Sequence, residues 1–504
     1  MGVEQLYTAA DIPQFIEGAP ITNLMYAIWL SRKDLQIAFD CGTKEGQEAF
    51  LRWFDVSVTR EYGIQPEVAK KSESIMRTEI AIRKFGKRLP APIRKLGRDL
   101  WIRYLAHVAR NLSADTYLLA RRAGIQLVAS KATGDVGKPG ANLIGYAHAE
   151  LGMGEHVRMS AAALNATDVR YGVLNFDVGV SSRKQANLDH GELITSNEYS
   201  VNVFHINADQ MLAAYCHLGS GFFANRYNIG YWAWELSKCP KEWVPIIEMV
   251  DEIWAPSRFI QSAFAEKTRK PVEYMPLCVT LQPFQARRRS EFKLPENHFL
   301  FLFAFDFLSY IERKNPFAAI RAFQVAFPDR SSQVGLVIKV MNGDSQNQQW
   351  VEMLALIDND PRVHIINRTM SRGEVLALMD SCDSFVSLHR SEGFGRGPAE
   401  AMLLGKPVIV TNYSGNTDFT HPENSCLVNY SLVPVKTGQY VFGDGQVWAD
   451  ADVQHAAWHM KRLVEKPASA AEIGLKGKDF ILTKFSQSVV GRIYAQRLKY
   501  VMRS

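Results

Sequence analysis

Two glutamates flank a glycine-rich stretch in the C-terminal half of the sequence. Glu392 follows an apolar run that predicts a strand over 384–388, and Glu400 comes eight residues later on a predicted helix. Gly393 and Gly395 allow the backbone to approach a ligand closely. The helix would point its free amides and its positive dipole end back at this loop, which favours a phosphate. Carboxylates at these two places could hydrogen-bond two separate sets of hydroxyls, as on a sugar and a ribose.

A basic pair lies in a second predicted loop. The apolar run 299–306 predicts a strand, and Pro316 fits the first turn of the helix that follows it. Lys314 would therefore lie in a strand-to-helix loop, where a lysine can neutralise a diphosphate as a point charge. Arg313 directly precedes it. The alternative interpretation is an Arg–Lys pair that is simply solvated.

A third loop contains Gly152 and Gly154, after the apolar run 141–146. On its own, a glycine-rich loop after a predicted strand is a weak signal for a phosphate site. The spacing lacks the complete dinucleotide-binding pattern, and no acidic partner follows at a clear strand end. A tight turn into a helix is therefore the alternative.

Polar residues also follow two other predicted strands. His205 and Asn207 come at the end of a strand predicted over 201–206, where α/β proteins build their sites. Glu235 ends an aromatic strand predicted over 227–234. A carboxylate among aromatic rings suits a carbohydrate, but a packed core strand explains the tryptophans equally well. A lone histidine is often a structural residue, so both interpretations stay open for His205.

The stretch from His389 to Asp418 resembles a known signature. Its EGFG, AEAM and GKPVI elements and its SGNTD turn are similar to those of family 4 of the retaining glycosyltransferases, which have the GT-B fold. The resemblance covers residues 141–490 and is most specific in 300–430. It implies that Glu392 contacts the donor sugar and that Glu400 contacts the ribose.

The resemblance implies a role for the other candidates as well. His205 would face the donor sugar, so the implied catalytic residues are Glu392, Lys314 and His205. Ser309 stands near a position where family members commonly have an arginine, which leaves one cationic contact open. Asn207 and Glu235 would lie on the acceptor or sugar side. The implied donor-binding residues are Ser309, Arg313, Lys314, Glu392, Gly393, Phe394, Gly395, Glu400, Gly152 and Gly154.

The activity implied by the resemblance is the retaining transfer of a hexose from a nucleotide-diphosphate sugar to a glycan or lipid-linked glycan. The RKN form around Lys314 looks like that of bacterial enzymes of surface polysaccharide or lipopolysaccharide assembly, which favours mannose from a guanosine diphosphate donor. We expect no cofactor and no metal, because a lysine, loop amides and a helix N-terminus can carry the diphosphate charge. We expect no nucleic-acid partner. The alternatives are a non-hydrolysing sugar-nucleotide epimerase and a non-catalytic glycan-binding or scaffold protein.

Strand-like and helix-like segments alternate in two series, which predicts parallel βαβ units. We expect an α/β protein with the GT-B fold, in which two Rossmann-like, doubly wound domains face a cleft behind a helical N-terminal extension. The predicted parts are the extension at 1–135, an acceptor-side domain at 136–285, a nucleotide-sugar-binding domain at 286–475 and a terminal helix at 476–504. A return of that last helix to the N-terminal domain is one option.

The net charge of +6 is unevenly distributed. The segment 68–123 has fourteen Lys or Arg residues against four acidic residues, a charge of +10. Within it, apolar residues that include Trp101 and Tyr104 recur at helical spacing. A basic amphipathic helix of this kind suits an anionic membrane surface. A helix packed on its own domain, with a solvated basic face, is the alternative.

The composition excludes several other classes of protein. Of the 504 residues, 47% are hydrophobic and 22% are charged, which is ordinary for a globular chain. No apolar run reaches the ~18–20 residues that span a bilayer, and the N-terminus predicts no secretion signal. Six scattered cysteines without a CxxC pair argue against a zinc ribbon and favour a reducing compartment. We therefore expect a cytoplasmic protein, peripheral at the inner membrane face if the basic helix binds lipid.

Overall fold

A computed structural model of the chain describes most of its residues. The predicted basic helix and the rest of the segment 68–123 lie outside the described part. The described residues are 21, 23–62, 136–176, 183–211, 214, 218, 220–307 and 309–503.

The described N-terminal residues form helices, as expected for the extension. Phe50 and Phe54 are fully buried there, and the Phe39 ring packs against Phe50. The first of these helices contacts the turn Lys241–Trp243, so the extension lies against the first half of the α/β body. The helices are α1 (Asn23–Ser31), α2 (Lys33–Ala38) and α3 (Lys44–Tyr62).

The first half of the body is a parallel six-stranded sheet with the strand order β2-β1-β3-β4-β5-β6. Its strands are β1 (Lys138–Gly145), β2 (Tyr171–Asn175), β3 (Tyr199–His205), β4 (Tyr227–Tyr231), β5 (Glu252–Ala255) and β6 (Val272–Tyr274). Its helices are α4 (Gly152–Asn165), α5 (Ser220–Phe223), α6 (Val244–Ile247) and α7 (Arg258–Ala265).

The second half is another parallel six-stranded sheet, with the order β12-β11-β10-β7-β8-β9. Its strands are β7 (Phe299–Asp306), β8 (Val334–Met341), β9 (Val363–Asn367), β10 (Ser384–Ser387), β11 (Val408–Thr411) and β12 (Cys426–Val428). Its helices are α8 (Ile311–Lys314), α9 (Pro316–Ala326), α10 (Gln348–Ile357), α11 (Arg372–Ser381) and α12 (Arg396–Leu403). A hairpin of β13 (Tyr430–Pro434) and β14 (Val447–Ala451) follows, and then α13 (Val453–Glu465), α14 (Pro467–Lys484) and α15 (Gln487–Val501).

The central strands form because their apolar runs are buried on both faces. In β7, Phe301 and Phe303 join one buried cluster, whereas Leu300 and Leu302 join another on the opposite face. Parallel strands covered by helices on both sides have this continuous apolar character. The structure therefore confirms the predicted pair of doubly wound α/β sheets.

Each sheet has a point where the chain reverses its direction of winding. In the first sheet it lies between β1 and β3, whose ends meet at the pair Gly145 and His205. In the second sheet it lies between β7 and β10, which pair directly. Doubly wound sheets bind ligands in the crevice outside the carboxyl ends of the strands at such points. The loops after β1, β7 and β10 are therefore the places to look for a site.

Several elements differ from the sequence predictions. β4 ends at Tyr231 rather than at residue 234, and Trp232 and Trp234 are buried in the loop that follows. β2, β6 and the β13–β14 hairpin were not predicted. Helix α14 runs unbroken through the boundary predicted at 475/476. The chain therefore passes from the second half of the body back to the first near Phe485.

Helix α15 returns to the first sheet and packs against α4. The Tyr494 hydroxyl lies 2.7 Å from the Tyr231 hydroxyl and donates to the Pro276 carbonyl at 2.7 Å. Gly491 lies so close to α4 that a Cβ there would be 2.2 Å from the Ala163 carbonyl oxygen. The end of the chain is thus part of the core of the first half.

We expect Gly491→Ala to destabilise the protein, because one of the two helices must shift to admit the methyl group. Overpacking of this kind costs about 1–3 kcal/mol, which exceeds the gain of helix propensity from alanine. Urea unfolding followed by tryptophan fluorescence measures the change. Gly373→Ala in α11 is the matched control, because the nearest atom to a Cβ there is 3.7 Å away. Equal unfolding midpoints for the two variants would contradict the close packing of α15 on α4.

Candidate active site

Two left-handed residues shape the loop that presents Lys314. Tyr310 and Asn315 have φ values of 57° and 57°, and they bracket the short helix α8. The Asn315 side chain accepts a hydrogen bond from the Ala318 amide at 3.4 Å and donates to the Leu388 carbonyl at 3.0 Å. The asparagine thereby caps α9 and ties the β7 loop to the end of β10. This tie places Lys314 beside the loop that contains Glu392.

Both oxygens of the Glu392 carboxylate are paired with cations. Lys314 Nζ lies 2.5 Å from Oε1, and Arg313 Nη1 lies 3.0 Å from Oε2. The same Arg313 nitrogen also donates to the Ser391 carbonyl at 3.0 Å. The Arg313 side chain is buried, so it holds Glu392 in place rather than standing free for a ligand.

Burial would raise the pKa of Glu392, but the adjacent charges of Lys314 and Arg313 outweigh it and hold that pKa well below its usual range. Burial, together with the neighbouring Arg313 charge, lowers the pKa of the Lys314 ammonium. The site therefore contains a largely buried carboxylate that stays ionised at neutral pH. Each of its oxygens retains a further lone pair that can accept from a sugar hydroxyl.

Residues of the first half close on the backbone around Glu392. The Ser257 hydroxyl, at the start of α7, donates to the Gly393 carbonyl at 2.6 Å. A Cβ at Gly393 would lie 3.0 Å from the Trp234 carbonyl and 3.8 Å from Glu235 Cγ. Gly395 has a φ of 95° and begins α12. The glycines are therefore needed for close approach between the halves and for a sharp turn, as well as for any ligand contact.

The Phe394 side chain belongs to the core of the protein. It is buried, and its ring packs against Phe419 and Phe485. An apolar ring in this loop anchors the loop to the core, so only its backbone is available to a ligand. The predicted donor contact of Phe394 stays a prediction for that backbone.

Glu400 is almost fully buried and is already paired with arginines. Arg372 Nη2 forms an ion pair with its Oε1, and Arg396 Nε lies 3.6 Å from the same oxygen. No hydrogen bond to Oε2 joins it to another described residue. That second oxygen is the one that can accept from the hydroxyls of a ribose.

The two glycines after β1 differ in their surroundings. Gly154 is buried, and a Cβ there would lie 2.2 Å from the Ala149 carbonyl oxygen, so it is a tight turn into α4. Gly152 is exposed at the first position of the same helix, with nothing within 4 Å of a Cβ. Only Gly152 therefore leaves its backbone open to a ligand at this end of α4.

His205 does not face an open cleft as predicted. Its side chain is fully buried, and its Nδ1 lies 2.9 Å from Nδ1 of His156. Burial, with the neighbouring His156, lowers the pKa of His205 well below its usual range. One neutral ring donates and the other accepts, and the Tyr231 ring packs against both. The contact of His205 with a donor sugar is corrected to a core contact behind the loop.

The remaining predicted residues are engaged within the protein. Asn207 Oδ1 accepts from the Ala233 amide at 2.9 Å, which fixes the loop after β4. The Tyr440 hydroxyl, from the loop between β13 and β14, donates to Glu235 at 2.6 Å. The Ser309 amide donates to the Asp306 carbonyl in the turn before α8. The structure thus brings Glu235 to the Gly393 loop but uses Asn207 to shape a neighbouring loop.

Sequence reasoning missed several residues of this region. Arg396 stands inside the recognised motif, so its charge could have been noted there. Arg372, Glu155 and Tyr440 come from other elements, and nothing in their local sequence indicates their position.

The described residues contain no cluster of His, Cys, Asp and Glu that could hold a metal ion. Independence from metal stays a prediction. Among the described helices, none has the length and apolarity needed to cross a membrane.

Comparison with known proteins places Lys314, Glu392 and Glu400 in a recognised domain. Residues 285–479 match the family model described as "Glycosyl transferases group 1". A search of curated protein sequences found no match.

Solved structures of similar fold align with most of the chain. HepE of Anabaena, in complex with UDP and glucose, has a TM-score of 0.53 at 15% identity and covers 71% of this chain and 99% of its own. Sucrose-phosphate synthase of Thermosynechococcus elongatus has a TM-score of 0.53 at 15% identity, with coverages of 72% and 99%. A glycosyltransferase of Rickettsia africae has a TM-score of 0.51 at 12% identity, with coverages of 72% and 99%. Identities this low show the fold alone. They show the GT-B fold for the two sheets, and the family match identifies residues 285–479 as a glycosyltransferase domain.

We expect Glu392→Gln to lower stability in a way that depends on pH. The folded pKa of Glu392 lies below the value of about 4.3 for an unfolded glutamate, so its charge stabilises the fold above that pH. The contribution is lost as the pH falls through 4.3 towards the folded pKa. Removing one partner of a fully buried pair costs about 3–5 kcal/mol, so this partly buried pair should lose at most that at pH 7, and the difference from wild type should shrink at pH 3.

Urea unfolding at a series of pH values measures this difference. Glu472→Gln is the matched control, because Glu472 pairs with Lys476 at 2.6 Å on the surface and is 64% exposed. Water screens an exposed pair, so its loss should change stability little. A Glu392→Gln difference that is equal at pH 3 and pH 7 would show that the buried charge pair contributes no stability.

Proposed function

We propose that the protein transfers a hexose, with retention of configuration, from a nucleotide-diphosphate sugar to a hydroxyl of a glycan or lipid-linked glycan. The observation that carries the proposal is the partly buried Lys314–Glu392 pair at the point where the second sheet reverses its winding. A fixed cation beside an ionised carboxylate suits a substrate whose leaving group is anionic and whose reacting group has hydroxyls.

The positions of the two glutamates support one orientation of the donor. The sugar lies at Glu392 and the ribose at Glu400 Oε2, so the diphosphate lies between them. Lys314 and the loop amides that precede α12 are the donors available to its oxygens. The first half contributes the exposed end of α4 at Gly152 from across the cleft.

The reaction breaks the bond between the anomeric carbon and the diphosphate oxygen, and its electron pair leaves with the diphosphate. The transition state carries positive charge on the sugar ring and growing negative charge on the leaving group. The acceptor hydroxyl attacks the face that the diphosphate leaves, and its proton passes to a departing phosphate oxygen. Lys314 stabilises that charge, whereas Glu392 holds sugar hydroxyls and keeps Lys314 in place.

Donor and acceptor are inferred from the sequence pattern. The resemblance favours mannose from guanosine diphosphate in surface polysaccharide assembly. HepE of Anabaena was crystallised with UDP-glucose, so a uridine diphosphate sugar is the first alternative donor to test. A panel of nucleotide sugars, assayed for donor hydrolysis and thermal shift with and without EDTA, distinguishes the donors and tests independence from metal. A protein that binds and hydrolyses none of them would contradict the proposed function.

We also propose that the segment 68–123 attaches the enzyme to an anionic membrane surface, where a lipid-linked acceptor would lie. Each Lys or Arg near such a surface contributes about 1 kcal/mol, screened over a Debye length. A third of the fourteen basic residues would therefore give reversible attachment. The support for this proposal is the charge and spacing of the sequence.

Lys314→Ala should lower turnover by roughly 10²–10³-fold, by analogy with the loss of one preorganised electrostatic donor. The effect should fall mainly on kcat, because the diphosphate charge grows as the bond breaks. Steady-state kinetics with the donor found by the panel measures it. The control is Lys476→Ala, which breaks a lysine–glutamate pair of similar length on the surface. Turnover within threefold of wild type, with an unchanged melting curve, would refute the role of Lys314.

The membrane proposal predicts binding to anionic vesicles that weakens as salt is added. Reversing Arg94, Lys95 and Arg98 to Glu should abolish that binding and spare turnover of a soluble acceptor mimic. The control reverses Lys461, Lys478 and Lys484, which are exposed on α13 and α14. Equal binding to neutral and anionic vesicles, or no binding at low salt, would refute it. A docking surface for the chain's own domains would then explain the charge.

A further inference from the structure

Arg396 lies between two carboxylates that belong to different halves of the protein. It is the first residue of α12, between the Glu392 loop and Glu400. Its Nη1 is 3.7 Å from Glu155 Oε2, on α4 of the first half. Its Nε is 3.6 Å from Glu400 Oε1, on its own helix. The guanidinium therefore stands at the junction of the two sheets, inside the candidate site.

Neither carboxylate satisfies the hydrogen-bonding capacity of Arg396. Both distances exceed those of an N–H···O hydrogen bond. The Nη1 atom is buried and has no hydrogen-bond acceptor among the described residues. A buried N–H without an acceptor costs free energy. Arg396 is thus held in place by charge, with a donor that still lacks an acceptor.

Each of the two carboxylates already has an arginine of its own. Arg158 Nη2 donates to Glu155 Oε1 at 2.9 Å, and Arg372 forms an ion pair with Glu400. Three guanidinium groups therefore face two carboxylates. Arg396 has the longest contacts of the three. An arriving anion can therefore bind Arg396 with the smallest loss of existing ion-pair energy.

We propose that Arg396 binds the diphosphate of the donor, and that Glu155 holds the guanidinium until the donor arrives. The inference rests on the proposed function, which puts the sugar at Glu392 and the ribose at Glu400. The diphosphate joins these two groups, and Arg396 lies between the two glutamates. A guanidinium presents paired donors that match two phosphate oxygens. Glu155, a fixed negative charge beside the same place, lowers the affinity for the diphosphate.

A contact that merely fastens the two halves together is the competing explanation. It predicts that Arg396→Met and Glu155→Gln act in the same direction, because each removes one side of the same pair. Binding of the diphosphate predicts opposite directions. The two variants of one pair therefore distinguish the explanations.

The test measures the affinity of the full chain for ADP, CDP, GDP, UDP and dTDP by calorimetry, and for the five corresponding nucleosides by NMR titration. For the diphosphate that binds, Arg396→Met should weaken affinity by roughly 10–100-fold, the range for a charge-assisted contact, and should leave nucleoside affinity unchanged. The diphosphate affinity of Arg396→Lys should lie between those of wild type and Arg396→Met, because lysine retains the charge but lacks the paired N–H donors of a guanidinium. Glu155→Gln should tighten diphosphate binding severalfold. Arg321→Met, at an exposed arginine of α9, is the control and should change neither affinity.

The possible outcomes distinguish failure of this inference from failure of the proposed function. An unchanged ratio of diphosphate to nucleoside affinity in Arg396→Met overturns the inference and leaves the function standing. Weaker diphosphate binding in Glu155→Gln also overturns it and supports a contact that fastens the halves. Failure of the wild-type protein to bind any of the five diphosphates contradicts the proposed function, and the inference falls with it.

Discussion

The doubly paired carboxylate of Glu392 is the interaction on which the site depends. A largely buried glutamate is tolerated only when its charge is compensated, and two cations from the β7 loop compensate this one. The pairing joins the loops after β7 and β10 at the point where the second sheet reverses its winding. Lys314 cannot leave this position without exposing an unpaired charge. The same interaction that stabilises the fold therefore holds a cation in a fixed position, which the proposed function uses to stabilise an anionic leaving group.

The first half of the protein completes the site through contacts with that loop. Ser257 and Trp234 approach the Gly393 backbone, and the Tyr440 hydroxyl from the β13–β14 loop reaches Glu235. The residues near Tyr440 pack with Trp234 and Trp243 in one buried cluster. A segment that follows the second sheet is thus buried among side chains of the first. The β13–β14 loop and helix α15 therefore both join the second half of the protein to the first.

The charges around Glu400 show a different arrangement. Glu155, Arg158, Arg372, Arg396 and Glu400 form a chain of ion pairs that crosses from one half to the other. Glu392 is held by contacts of 2.5 and 3.0 Å, whereas Arg396 is held by contacts of 3.6 and 3.7 Å. Under the proposed function, the site combines groups held by short contacts, which define the geometry, with a cation held by long contacts, which can change its partner.

The sequence by itself determined the two sheets, most central strands and the identity of the chemical groups. Long apolar runs such as 299–306 predict central strands, because burial on both faces explains them. The chemical groups could be identified because the EGFG stretch has its glycines and glutamates in one local segment. β2, β6 and the β13–β14 hairpin escaped prediction because their runs are short or, in β13, mostly exposed. Only the tertiary structure decided that His205 is buried against His156, that the Phe394 ring belongs to the core, and that Arg396 faces Glu155. Those outcomes depend on which helix packs where, since each joins residues from separate elements. Local spacing carries no information about contacts of that kind.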